Sequence, residues 1–224
     1  MYPANEDTVV YILDMNDRPT DEQMKKILSL LPDERIRRSE RYRFEKDRLA
    51  CLTSFLLLLY GLSDKGITEF PQILKNRYGK PFFAESSIHF NISHCSKAVC
   101  CAVSGNNIGA DIQDTVTDFE SIIGVVMSER EQNLIRSSDD PCITFTRLWS
   151  LKESYVKYLG TGLGNNMAET EFLCGDDSFT VHGCRFTVKA FDCCQVSVCT
   201  EKEDPVFIKK TLSEYLDSFT GTSL

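Results

Sequence analysis

The chain has 224 residues, 42% of them hydrophobic, enough to bury a sizeable core in one large domain or two small ones. Its net charge of −8 and pI near 5.0 argue against a broad electrostatic grip on nucleic acid or an anionic membrane, so neither is expected as a partner. Any polyanion must be held by local basic clusters, and residues 1–7 lack the basic and apolar stretches of a secretory leader, which points to the cytoplasm.

Val9-Val10-Tyr11-Ile12-Leu13 is β-branched and apolar enough to predict an opening strand. Thr20, with Gln23 as capping-box partner, starts a helix whose expected buried stripe is Met24, Ile27, Leu28 and Leu31, ended by Pro32. Residues 33–48 are strongly charged and locally basic within an acidic chain. They read either as a solvated helix laced by pairs such as Glu34 with Arg38, or as an anion platform. Residues 49–62 form the longest apolar run, interrupted by Thr53 and Ser54 and too short to span a bilayer, so a buried helix is expected. Residues 70–74 predict a short edge strand, and Lys75-Asn76-Arg77-Tyr78-Gly79-Lys80-Pro81 a basic turn that aims Lys75, Arg77 and Lys80 at an anion. The Walker spacing is absent.

Residues 88–93 alternate, placing His89, Asn91 and Ser93 on one face, with His94 at the strand end. No G-x-S-x-G elbow surrounds Ser93, so a phosphate site fits this strand end better than a hydrolase nucleophile. Residues 98–103 make a second strand, and Gly105-Asn106-Asn107 predicts a hairpin turn into a third, residues 108–113. There Asp111 and Gln113 share a face, and Gly109 admits a close neighbour. Asp111 reads either as a strand-edge cap or as a ligand for a hard cation such as magnesium.

Residues 118–127 are expected to be helical, Ser128 with Glu131 forms a capping box, and Pro141 precedes a long helix over about 142–159. That helix carries the only tryptophan, and Trp149, Glu153 and Lys157 fall at i, i+4 and i+8 on one strip. A surface Glu153–Lys157 pair would contribute only about 0.3–0.5 kcal/mol. Glycines 160, 162 and 164 stop the helix, and short β runs follow at 170–173, 178–182, 185–191 and 195–200. The ten cysteines, with adjacent pairs at 100–101 and 193–194 and no C-x-x-C, read as reduced core thiols. Both halves read as a long helix followed by antiparallel strands, which predicts an α+β fold divided into residues 1–107 and 108–224.

The basic turn with Asn91-Ile92-Ser93-His94, then Gly109-Ala110-Asp111-Ile112, then Trp149-Ser150-Leu151-Lys152-Glu153-Ser154 occur in a set order. Together they resemble the 4′-phosphopantetheinyl transferase superfamily, in its long, monomeric Sfp-like branch. The resemblance implies a pseudo-dimer of two similar halves, each a long helix on a small antiparallel sheet, with coenzyme A in the cleft between them. It implies magnesium-dependent transfer of the phosphopantetheine arm to a serine of an apo acyl or peptidyl carrier protein, releasing adenosine 3′,5′-bisphosphate. Arg38 matches a position holding the 3′-phosphate. Lys75, Arg77 and Lys80 match the turn around the adenine and phosphates, with Lys80 the best-defined contact, and Asn91, Ser93 and His94 the phosphate-binding strand end. Asp111 and Glu153 match the magnesium carboxylates, and Lys157 a lysine facing the pyrophosphate. Glu153, directly or through a water, is the expected base for the serine proton. Lys152 either orients the acceptor or faces solvent. Gln113 departs from the pattern, since many members have an acidic residue there; it keeps an acceptor oxygen but lacks the charge. Arg130, Met127 and the 162–167 loop are candidates for a carrier contact. The alternatives are a non-catalytic carrier-protein or coenzyme A binding module, which Gln113 favours a little, and a different metal-dependent phosphoryl enzyme.

Overall fold

A computed structural model describes residues 7–16, 18–162, 167–173, 175–192, 194–201 and 203–219. Strand β1 (Val9–Asp14) is buried along residues 9–13 because it has a neighbour on each edge and a layer on each face. It runs antiparallel to β5 (Ala98–Ser104) and parallel to β10 (Val206–Lys209), and β4 (His89–His94) completes the order β10-β1-β5-β4. Strand alternation divides the side chains between two cores. Val9, Tyr11 and Leu13 face helix α3 (Glu45–Asp64) together with Val99, Cys101 and Val103. Val10 and Ile12 face a second sheet together with Ala98, Cys100 and Ala102.

Helix α3 is buried at every position from Ala50 to Leu62, as a run with no polar face requires. Helices α1 (Asp21–Leu30), α2 (Asp33–Ser39) and α7 (Leu212–Asp217) pack around it. The hairpin of β2 (Ile73–Lys75) and β3 (Pro81–Phe83) docks on β4 through Phe83, whose ring lies 4.4 Å from that of Phe90.

The second sheet is antiparallel throughout, with order β6 (Gly109–Gln113), β9 (Cys194–Thr200), β8 (Cys184–Phe191), β7 (Ser178–Val181). His182 and Gly183, both with positive φ, form the tight β7–β8 turn. Ala110, Ile112, Val196 and Val198 face the first sheet. Phe179, Phe186, Val188 and Cys199 face helix α6 (Pro141–Leu159). The layers therefore run α3, first sheet, second sheet, α6. Helix α5 (Glu129–Ser137) flanks α6, and α4 (Ile123–Val126) packs against α5 and adds Ile123 and Val126 to the same core. No helix among the described residues is long and apolar enough to cross a membrane.

The α+β expectation holds, with several corrections of detail. The first sheet is mixed, because β10 joins β1 in parallel, so the tail from 206 to 217 packs on the first half of the chain. Gly105-Asn106-Asn107 is no hairpin turn: both edges of β5 are taken by β1 and β4, and β6 crosses to the second sheet. The edge strand expected at 70–74 forms at 73–75. Helix is confined to 123–126 within the span 118–127, and 170–173 is not a strand but follows a 3₁₀ turn, Met167–Glu169. Leu28 faces solvent, whereas Ile27 and Leu31 are buried. Glu34 and Arg38 form no ion pair; instead Arg35 turns inward and donates to the Cys51 carbonyl at 3.0 and 2.7 Å and to Ser54 Oγ at 3.2 Å. Cys51, Cys100, Cys101, Cys184 and Cys199 are buried thiols, as expected, but Cys95 and Cys142 are only half-buried, and Cys174 and Cys193 lie outside the described residues.

Candidate active site

The site is built on α6. Asp140 caps its start by accepting from Ile143 N at 3.0 Å, Pro141 occupies the first turn, and Gly160 ends it at φ 67°. Trp149 stacks on Phe145 (6.3 Å, 11°), which stacks on Phe119 (4.8 Å, 15°), and so seats the helix on its core. Across the helix, β6 passes so close that a Cβ on Gly109 would lie 2.0 Å from the Ser154 carbonyl oxygen and 2.3 Å from Tyr158 N. The close neighbour anticipated for Gly109 is the backbone of α6 itself.

That approach brings three elements to one point. Lys157 Nζ of α6 donates to Asp111 Oδ1 of β6 at 2.6 Å and to Ser93 Oγ of β4 at 2.8 Å. Ser93 in turn donates to Asp111 Oδ1 at 2.8 Å. Asn91 fixes the register of β4 against β6 by accepting from Ala110 N at 3.1 Å. Asp111 is 1% exposed, and its Oδ2 has no hydrogen-bond partner among the described residues.

Glu153, one turn before Lys157, makes no ion pair with it and no hydrogen bond among the described residues. Burial raises its pKa, Lys157 draws it down and the charge of Asp111 pushes it up. Partial desolvation and the nearby Lys157 hold His94 below the usual imidazole value, so its ring is neutral at pH 7. His94 feels both Lys157 and Asp111 of this cluster and Arg35 on the other side of β4.

That other side is a groove of about 760 Å³. Phe55, Phe70, Phe90 and Ile92 give it apolar walls, and Arg35, Arg38, Arg41 and Lys75 a basic rim. Strand β4 thus serves both places: Phe90 and Ile92 line the groove, while Asn91 and Ser93 reach β6. The structure brings together Asn91, Ser93, His94, Asp111, Glu153 and Lys157, and separately puts Arg38 and Lys75 on one groove. Gln113 shares the Asp111 face of β6 two residues on. Arg77 lines neither place; it is exposed and lies over the Tyr78 ring at 4.6 Å. Lys80 also leaves the groove, because its ammonium donates to Asn107 Oδ1 at 3.0 Å and to the Ile108 and Tyr158 carbonyls, each at 3.1 Å. Arg35 and Arg41 were missed, although both stand in the charged run that suggested an anion platform.

The expectations for Lys152 and Met127 are overturned. Lys152 neither faces solvent nor reaches an acceptor; it is 1% exposed and pairs with buried Glu131 at 2.9 Å. Met127, 1% exposed, cannot touch a carrier, and Arg130 is paired with Glu171 at 3.1 Å. Residues 163–166, including Gly164, lie outside the described residues.

A pair of like-charged carboxylates, one with a buried unpartnered oxygen, suits a hard cation that takes one or two carboxylates and completes its shell with water and phosphate. Among the described residues no group of three or more His, Cys, Asp or Glu is placed to hold a metal.

The chain belongs to the 4′-phosphopantetheinyl transferase superfamily: the model of that superfamily matches residues 107–206, and that of the 4′-phosphopantetheinyl transferase N-terminal region matches 16–106. Among named proteins, it is 31% identical over 156 residues to 4′-phosphopantetheinyl transferase Sfp of Bacillus subtilis, covering 66% of this chain and 68% of that one. It is 38% identical over 91 residues to 4′-phosphopantetheinyl transferase gsp of Aneurinibacillus migulanus, covering 40% and 38%. It is 32% identical over 170 residues to the L-aminoadipate-semialdehyde dehydrogenase-phosphopantetheinyl transferase of Saccharomyces cerevisiae, covering 70% and 61%. The match thus spans less than two thirds of the length of the last two.

Proposed function

We propose that this protein transfers the 4′-phosphopantetheine arm of coenzyme A to a serine hydroxyl of an apo acyl or peptidyl carrier protein, releasing adenosine 3′,5′-bisphosphate. The observation that carries this reading is the Asp111–Lys157–Ser93 cluster beside Glu153, at the end of a strand that also walls a basic-rimmed groove. The groove takes the nucleotide end of coenzyme A: its aromatic walls suit the adenine, and Arg38, Arg41 and Lys75 the phosphates. Asp111 and Glu153, with the Gln113 amide as a further oxygen, would hold magnesium, which would supply positive charge to shield the pyrophosphate.

In the reaction the serine oxygen attacks the β-phosphorus and the bond to the bisphosphate leaving group breaks. Glu153, on α6 one turn before Lys157, takes the serine proton, directly or through a water. Lys157 and His94 donate to phosphate oxygens, stabilising charge as the leaving group departs. The pairing of α3 with the first sheet and of α6 with the second supports a pseudo-dimer of two similar halves meeting at residues 107 and 108, with the tail from 206 to 217 returned to the first half. One chain supplies both sides of the cleft, so the enzyme works as a monomer, and its buried thiols suit the cytoplasm.

The test is transfer by Glu153→Gln, an isosteric change that removes the base and a metal ligand. Carrier modification is expected to fall by about 10²-fold or more, with the variant still folded. Transfer at the parent rate would sink the assignment.

A further inference from the structure

The hairpin that walls the groove also grips the end of α6. Asn76 organises the β2–β3 turn by accepting from Tyr78 N and Lys80 N, each at 2.9 Å, and its Nδ2 then donates to the Gly160 carbonyl at 2.8 Å. Lys80 donates to the Tyr158 carbonyl, which Asn107 Nδ2 also reaches at 2.9 Å. The last carbonyls of a helix have no intrahelical donors and carry partial negative charge, so an ammonium and an amide suit them. Gly160 is shaped for this contact: a Cβ there would lie 2.9 Å from Lys80 Cδ and 3.1 Å from Asn76 Nδ2, at a positive φ that favours glycine. The same hairpin gives Ile73, Lys75 and Pro81 to the groove, while α6 carries Glu153 and Lys157.

We propose that Asn76 and Lys80 are positioning residues: they clamp the β2–β3 hairpin to the C-terminal end of α6 and set the nucleotide groove in register with Glu153 and Lys157. The inference rests on the groove being the coenzyme A site. Lys80 then acts through α6 and not as a phosphate ligand. A ligand seated in the groove bears on the hairpin, and the clamp passes that restraint to the last turn of α6.

Two variants separate the clamp from the turn. Asn76→Asp keeps the acceptor that organises the turn but removes the donor and sets a negative charge against the helix end. Lys80→Met keeps the stem and removes the ammonium. Each is expected to bind coenzyme A by calorimetry as the parent does, and to lose kcat by about 10- to 100-fold with KM for coenzyme A unchanged, as a displaced catalytic pair requires. Amide hydrogen exchange at residues 157–160 gives a readout independent of transfer. Coenzyme A is expected to slow exchange there in the parent and not in the variants. Slowing that persists in both variants, or an unchanged kcat, would overturn the clamp alone. Loss of coenzyme A binding by Lys80→Met would instead make Lys80 a direct ligand and overturn the proposal. A parent that binds no coenzyme A would overturn the clamp together with the transfer reading.

Discussion

Lys152 stands next to Glu153 in the chain and belongs to a different structure. Its ammonium pairs with Glu131 and donates to the Met167 carbonyl at 2.7 Å and to that of Thr170. Glu131 also accepts from Ser128 N and from Phe172 N, each at 2.8 Å, so one buried pair joins α5, α6 and the segment after α6. Burial lowers the Lys152 pKa and Glu131 draws it back up. Lys152→Met leaves the Glu131 charge buried and unpaired, an expected loss of about 3–5 kcal/mol in urea unfolding. Adding Glu131→Gln should recover part of it; a single variant as stable as the parent would contradict this network. The sequence shows the capping box of Ser128 and Glu131 because its partners are three residues apart. It does not show that the same carboxylate meets a lysine on another helix. For the same reason Asp111, Glu153 and Lys157 are legible as residues, by type and position, while the partner of Lys157 is not: the glutamate on the same helix suggests itself, and the aspartate of strand β6 takes the ammonium.

At the scale of elements, continuous or strongly periodic signals are legible. The apolar run of α3 and the Pro-to-Gly span of α6 form close to where their residues put them. Pairing is harder to read, because turn residues say that the chain bends, not which edges are free. Gly105-Asn106-Asn107 has hairpin composition, yet β5 already has two neighbours. Strand β10 was not anticipated at all; its four residues gain their place only by parallel pairing with β1, far away in the chain. The β6–α6 contact is the packing on which the site depends. Gly109→Ala would drive a methyl into the backbone of α6, which cannot yield as a side chain could. It is expected to lower stability by about 1–3 kcal/mol or more and to impair transfer, with coenzyme A binding by calorimetry retained. A fully active Gly109→Ala protein would show that β6 and α6 need not touch so closely.

Over the whole molecule, the α+β class and the order of the motifs are legible in the sequence, and the mixed first sheet is not, since it needs the tail to return across the entire chain. The layered arrangement explains why the site lies where it does. The first half contributes the groove and Ser93, the second half Asp111, Glu153 and Lys157, and β4 is the strand both share. Whether this shared edge moves phosphopantetheine is decided by intact-mass measurement of an apo carrier protein incubated with the protein, coenzyme A and magnesium. One added phosphopantetheine is expected, absent when the acceptor serine is replaced by alanine or when magnesium is chelated. A carrier of unchanged mass, with coenzyme A bound to the protein, would contradict the transfer reading.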